Sequence, residues 1–156
     1  MIKPEDLLIP RGWIKAFGQM MCDEINAISK TVKVLDSKEK WGELRLVLSE
    51  YSPVLDDVVE KYTTLSRHIC IACGKPDVPM MNFGWISPVC RNCWHKYGNR
   101  PYDECCSTVD EMPTEIIVRR YDEQWKDECI RRMDVSKTVA AIRREYGRQA
   151  DLRGNV

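Results

Sequence analysis

The chain has no run of apolar residues long enough to cross a bilayer, which excludes a membrane-spanning helix. Histidine is nearly missing, with His68 and His95 the only two. That excludes the His-Asn-His series with which HNH-type nucleases use a cysteine-braced ββα unit. There is also no Gly-rich phosphate loop and no Ser-His-Asp series, so few groups remain to act as a general base and an enzyme is not expected. Net charge is zero, so the chain as a whole lacks the basic surplus of a nucleic-acid-binding domain. The opening stretch, "MIKPEDLLIPRGW", carries acids and two prolines around three consecutive apolar residues. It does not read as a signal peptide, and the expected location is cytoplasmic.

What the chain does have is eight cysteines. In a reducing compartment these do not suggest a disulfide framework, and the pairing of four of them favours metal. Cys70, Cys73, Cys90 and Cys93 form C-x2-C-x16-C-x2-C. Two residues between thiols let both sulfurs of a tight knuckle face one ion, and Gly74 suits the turn after the first pair because such knuckles commonly need positive φ there. The intervening sixteen residues suffice for a hairpin that returns the chain to the ion. Two knuckles supply a closed tetrahedral tetrathiolate, so the expected cofactor is one structural Zn2+ per chain. Iron in a rubredoxin-like site would use the same ligands, but Trp94 follows the second pair where a matching glycine turn would sit. A thioredoxin-like redox pair explains only one of the two Cys-x-x-Cys units.

Around this segment the pattern reads as an α+β protein. Trp13, Ile14, Phe17, Met21, Ile25 and Ile28 share a helical face, with Gly18 as a weak point of about 1 kcal/mol. Val32 and Val34, a turn at Lys40 to Gly42, and Leu44, Leu46 and Leu48 predict a hairpin covered by that helix. "SPVLDDVVEKYTTLSR" predicts a helix capped by Ser52, with Pro53 in its first turn and a buried stripe of Val54, Leu55, Val58, Val59, Tyr62 and Leu65. The polar stretch "YGNRPYDECCSTVDEMPTE" reads as a linker and "EIIVRRY" as a strand. Val135, Val139, Ile142 and Tyr146 mark a last helix, with Gly147 as its stop. The expected organisation is a helix-strand-strand-helix unit over 1–67, a four-cysteine zinc ribbon packed on it over 68–100, and a linker with a strand-helix extension over 101–156. The small sheet is flanked by the two helices.

The order "GWIKAFGQMMCDEI", "SKEKWGELRLVL", "LSRHICIACGKP" and "GWISPVCRNC" resembles an uncharacterised family of small bacterial and prophage-encoded zinc-ribbon proteins. That family reads Gly-Trp plus a helix, "KEKFGxLRF", a helix ending in Ser, "CxxCGxPG" and "GWxxTLCxxC". The match covers about residues 12 to 94 and includes Lys38, Glu39, Lys40, Gly42, Leu44, Arg45, Gly84, Trp85 and the four cysteines, with Trp41 replacing the usual Phe. The resemblance implies a zinc site and a phage or mobile-element setting, and no assigned reaction.

Three functional readings follow. In the leading one, the chain is a non-enzymatic phage-type accessory factor that contacts a host or phage protein, for instance to inhibit a host defence system. Met80, Met81, Phe83 and Trp85, at the expected tip of the inter-knuckle hairpin, are the contact candidates. Packing back on the first helix as core is the rival reading, favoured for Trp85. The alternative is a nucleic-acid-binding zinc ribbon, using Arg91 and Lys96 beside the cysteines and Arg143, Arg144 and Arg148 on the last helix. Residues 119 to 156 hold ten Arg and Lys against seven Asp and Glu, although a solvated helix face accounts for that surplus too. A nuclease-like enzyme comes third. Cys105, Cys106 and Cys129 with His95 are weighed as a second metal site, with free buried thiols the default for them and for Cys22. The sequence sets no oligomeric state.

Overall fold

The structure, a computed structural model, describes residues 1–107 and 110–154. It is α+β, as the pattern predicts, with three separate two-stranded antiparallel sheets and several helices. The first helical face is built from α1 (Arg11–Trp13), a π-helical turn (Ile14–Gly18) and α2 (Gln19–Ile28). The wider turn brings Gly12, Trp13, Ala16 and Phe17 inward together, while Ile28 stays partly exposed.

β1 (Val34–Lys40) and β2 (Glu43–Leu48) form the expected hairpin. Its two-residue turn places Trp41 at φ 57° and Gly42 at φ 79°, the left-handed pair whose twist matches the flanking strands. Leu44 and Leu46 point into the core. α3 (Pro53–Ser66) lies against β2 and α2 packs beside α3, and the first helix shares one core with Leu44 and Leu46 of the hairpin. Ser52 caps α3 by accepting from the Leu55 amide at 3.1 Å, with Pro53 in the first turn. The buried stripe runs through Leu55, Val58, Tyr62 and Leu65, a line of i, i+3 and i+4 steps that leaves Val54 to one side and exposed. Tyr62 stacks on Phe17 at 5.3 Å and donates to Glu24 at 2.7 Å, so its hydroxyl is satisfied inside the core.

The inter-knuckle hairpin is short, β3 (Met80–Asn82) with β4 (Ile86–Pro88). The stretch expected as a linker is built into the fold. It carries α4 (Tyr102–Cys105), bridges Cys106 to Met81, and buries Met112. Next comes β5 (Glu115–Asp122), the expected strand, and then β6 (Asp127–Asp134), which the pattern did not reveal. Seven of the eight β6 residues are exposed and one is partly buried, so "DECIRRMD" carries no alternation to read. The last helix, α5, runs Ser136–Gly154. Gly147 therefore lies within it and does not stop it. The helix is held by tertiary contacts on both sides of that glycine. Val139 and Ile142 are buried, and Gln149 donates to the Lys15 carbonyl at 3.0 Å. Met112, Ile116, Val118, Val135, Val139 and Ile142 share one core with Trp13, Phe17 and Tyr62.

Candidate metal centre

Cys70, Cys73, Cys90 and Cys93 converge so that their sulfurs all lie within 4.8 Å of one another. The Cys73–Cys90 separation is 3.6 Å, too long for a disulfide. A tetrahedron with metal–sulfur bonds of about 2.3 Å has sulfur–sulfur edges of about 3.8 Å. The four thiols therefore fit one soft metal ion and leave no position for a substrate. Among the described residues no other cluster of this kind occurs.

Local backbone geometry makes the first knuckle. The Gly74 amide donates to the Cys70 carbonyl at 3.0 Å, the Cys70 amide to the Lys75 carbonyl at 2.9 Å, and Gly74 takes the expected positive φ of 82°. The second knuckle closes with the Cys93 amide on the Cys90 carbonyl at 3.1 Å, and the Cys90 amide donates to the Cys70 sulfur at 3.4 Å. Without an ion, sulfurs this close do not ionise together. Hydrogen bonds from Cys70 and then Cys73 pull the Cys90 thiol far down, the matching bonds push Cys73 far up, and burial pushes Cys93 up to about 11. Loading a metal as a tetrathiolate therefore releases protons.

The centre is bolted to the rest of the molecule by hydrogen bonds from the first helix, the first hairpin and α5. The Gly12 amide donates to the Ile71 carbonyl at 2.9 Å, and the Trp13 indole to the Ile69 carbonyl at 2.9 Å. A side chain on Gly12 would lie 2.2 Å from the Cys70 carbonyl oxygen, so the Gly-Trp pair is where helix meets knuckle, backbone to backbone. Glu39 accepts from the Gly42 amide at 3.0 Å and the Ser87 hydroxyl at 3.1 Å, tying the two hairpins together. Ser66, at the end of α3, accepts from the Leu44 amide at 2.9 Å. On the far side, Asp77 accepts two bonds from Arg143 of α5, at 2.8 and 2.9 Å, and one from the Met112 amide at 2.9 Å.

No protein-family model, no curated protein and no solved structure matches this chain.

The contact candidates are distributed differently from expectation. Met80 and Met81 are buried, 3% and 0% exposed, and closed to a partner. They lie in β3, below the tip, Met81 under residues 101–107 and the Met80 side chain against the Gly42 turn of the first hairpin. Ser107 donates to the Met80 carbonyl from both its amide and its hydroxyl, each at 2.9 Å. Phe83 is half-buried, edge-on to Trp94 at 5.3 Å. Trp85, favoured as core, is 61% exposed, because the short hairpin puts residues 83–85 at the tip. Trp41, which the sequence marks only as a motif position, is 67% exposed. Both tryptophans line one cleft of about 390 Å³ with Glu39, Lys40, Asn82 and Ile86.

The basic candidates are scattered. Arg91 pairs with Asp103 at 2.6 Å, Arg143 with Asp77, and Arg148 with Glu145, while Lys96 and Arg144 form no ion pair among the described residues. His95 bonds the Asn92 carbonyl at 2.9 Å. Cys105 is buried beside the four ligands, whereas Cys106 and Cys129 are exposed, against the expectation of burial for both. Cys129 lies on β6, and no second site assembles among the described residues. Cys22 is buried as expected, and burial first, then Asp23, pushes its thiol up to about 11. Trp94 is the residue the pattern undersold. It fills the ribbon's own small core, and its indole donates to the Arg100 carbonyl at 2.7 Å.

Proposed function

We propose that this chain is a non-enzymatic, zinc-stabilised binding protein that acts by contact with another protein through the cleft between its two hairpin tips. The observation that carries this reading is the pair Trp41 and Trp85, both more than half exposed and facing one cleft. Tryptophan is the residue most often found as an interface anchor, and two on rigid turns bring little ordering cost to a complex. Trp41 also holds a left-handed backbone position that favours Asn or Gly and costs other residues about 1 kcal/mol. It stays two-thirds exposed, which fits a residue used for contact. Zinc is the ion of this reading because closed tetrathiolate sites are its usual structural form, and the metal then serves to hold the β3–β4 tip in place.

The ion pairing of Arg91, Arg143 and Arg148 argues against the nucleic-acid alternative, since paired cations have little counterion release to offer. The motif resemblance to prophage-encoded proteins directs the search for a partner toward host and phage proteins, including defence systems.

The test is affinity capture from host lysate, with and without nuclease treatment, by the full chain and by the Trp41→Ala, Trp85→Ala double variant. A protein retained by the first and lost by the second, at a cost of about 2 kcal/mol or more and with little salt dependence, is the expected result. Identical capture by both, or retention of nucleic acid with a steep salt slope, overturns it.

A further inference from the structure

The β5–β6 hairpin is an unfinished sheet. Two-stranded hairpins are marginal in water, and open edges of this length are normally covered, bulged, shortened or, as the five charged residues of β6 would do, guarded by charge unless those charges find opposite partners. Here Ile116 and Val118 of β5 pack into the core, and Arg120 and Arg131 reach Asp56 and Asp57 of α3. These contacts cover the inner face of β5, while on β6 only Met133 is partly buried. The outer face shows Ile117 at 54% exposed, Tyr121 at 65% and Ile130 at 56%. Among the described residues β5 is the only strand paired with β6, and no other backbone hydrogen bond reaches Asp127–Asp134. The second edge of β6 is open.

We propose that this edge pairs with a second copy of itself, β6 against β6 antiparallel about a two-fold axis at Ile130, to give a four-stranded sheet across a dimer. The occupant follows from the charge order along the strand. A two-fold axis normal to the sheet keeps the same face outward in both copies, which restricts the centre to a residue lying opposite itself. Centred on Ile130, the pairing sets Glu128 against Arg132 of the other copy, twice, and Ile130 against Ile130, all on the outer face, extending the exposed Arg119–Glu128 and Arg132–Glu115 pairs of each copy into one charge network across the axis. Centred on Arg131, it would oppose Arg131 to itself and Glu128 to Asp134. Centred on Cys129, it would leave Glu128 facing Ile130. Of these three registers only the Ile130 one matches both charge and apolarity on the outer face; it sets the two Ile130 side chains together, with Arg119 beside each and Ile117 diagonal to it. The surface is distinct from the tryptophan cleft, and the dimer does not depend on what binds there.

Analytical ultracentrifugation of the full zinc-loaded chain over a micromolar dilution series tests it. The expected result is a monomer–dimer equilibrium. Arg132→Glu, which replaces two attractive oppositions by two repulsive ones, should weaken the dimer at least about tenfold. Glu128→Arg should do the same, and the double variant Glu128→Arg, Arg132→Glu should recover most of the loss, because the swap restores both pairs. Circular dichroism and zinc content establish that each variant folds. A chain monomeric throughout the series overturns the proposal, and so does a dimer indifferent to either single change or one the double change does not restore.

Discussion

Gly12→Ala is the perturbation whose sign the structure decides against intuition. Gly12 is helical, and alanine is the better helix former by about 1 kcal/mol, so propensity alone expects stabilisation. The added methyl would, however, stand 2.2 Å from the Cys70 carbonyl oxygen and 2.7 Å from two backbone atoms of Ile71. None of these is the flexible end of a side chain, so the helix start must back away by roughly 1 Å, since a carbon contact below about 3.5 Å is repulsive. That displacement strains or breaks the Gly12–Ile71 and Trp13–Ile69 hydrogen bonds. A buried donor left unpaired costs about 1–3 kcal/mol. Two such losses at the middle of that range, less the propensity gain, give a net destabilisation of about 3 kcal/mol, or roughly 6–12 °C in Tm for a domain of this size. Gly147→Ala is the matched control. It too is helical, but its methyl would meet nothing within 4 Å, so it should stabilise by up to about 1 kcal/mol. The assay is denaturant unfolding of both variants in zinc-containing buffer, with zinc stoichiometry measured before each run. A Gly12→Ala protein as stable as the parent would refute the backbone contact between α1 and the first knuckle.

Cys93→Ser, or chelation of the parent, should lower thermal stability and open residues 68–94 to protease; an undiminished Tm after complete metal removal would refute a structural role. Trp41→Asn should stabilise by about 0.5–1 kcal/mol, since it relieves a left-handed tryptophan without uncovering any core, and a loss of stability in thermal unfolding would show that the indole packs. Met81→Ala should cost about 2–4 kcal/mol as a cavity in the ribbon, measurable by denaturant titration, whereas an exposed contact residue would change stability little. Burial pushes Asp77 upward, but the Arg143 guanidinium and the Met112 amide outweigh it and hold its carboxyl below the usual range. Its contribution is therefore present above the ordinary carboxylate pKa and is lost as pH falls through the depressed folded value. Asp77→Asn, which keeps the left-handed backbone tolerable at φ 58°, should cost about 1 kcal/mol at neutral pH after allowance for partial exposure. That gap should close in strongly acid solution, and a gap that widened there would show the linkage to be misassigned.

The sequence by itself determined the four-cysteine cluster, the helical and strand elements up to residue 67, and the α+β class. Each is a short-range property. Cys-x-x-Cys spacing, a glycine at the knuckle turn, Ser-Pro at a helix start and alternating leucines all act within a few residues, and the chain reproduces them locally. Longer-range facts were legible only in part. The Gly-Trp, Glu39 and Ser66 positions belong to motifs visible in the sequence, but their use as bolts between helix, hairpins and knuckle depends on backbone atoms with no side-chain signature. Tertiary structure alone decided which apolar residues face water. Met81 is buried because a segment twenty-five residues further on folds over it, Met80 because the Gly42 turn of the first hairpin lies against its side chain, and Trp85 is exposed because the hairpin beneath it has only three residues per strand. It alone decided that α5 runs through Gly147, where docking outweighs a propensity penalty of about 1 kcal/mol. The same holds for β6, whose residues carry no hydrophobic period because, among the described residues, only Met133 is partly covered. Periodicity records burial, and a strand with almost no burial writes none.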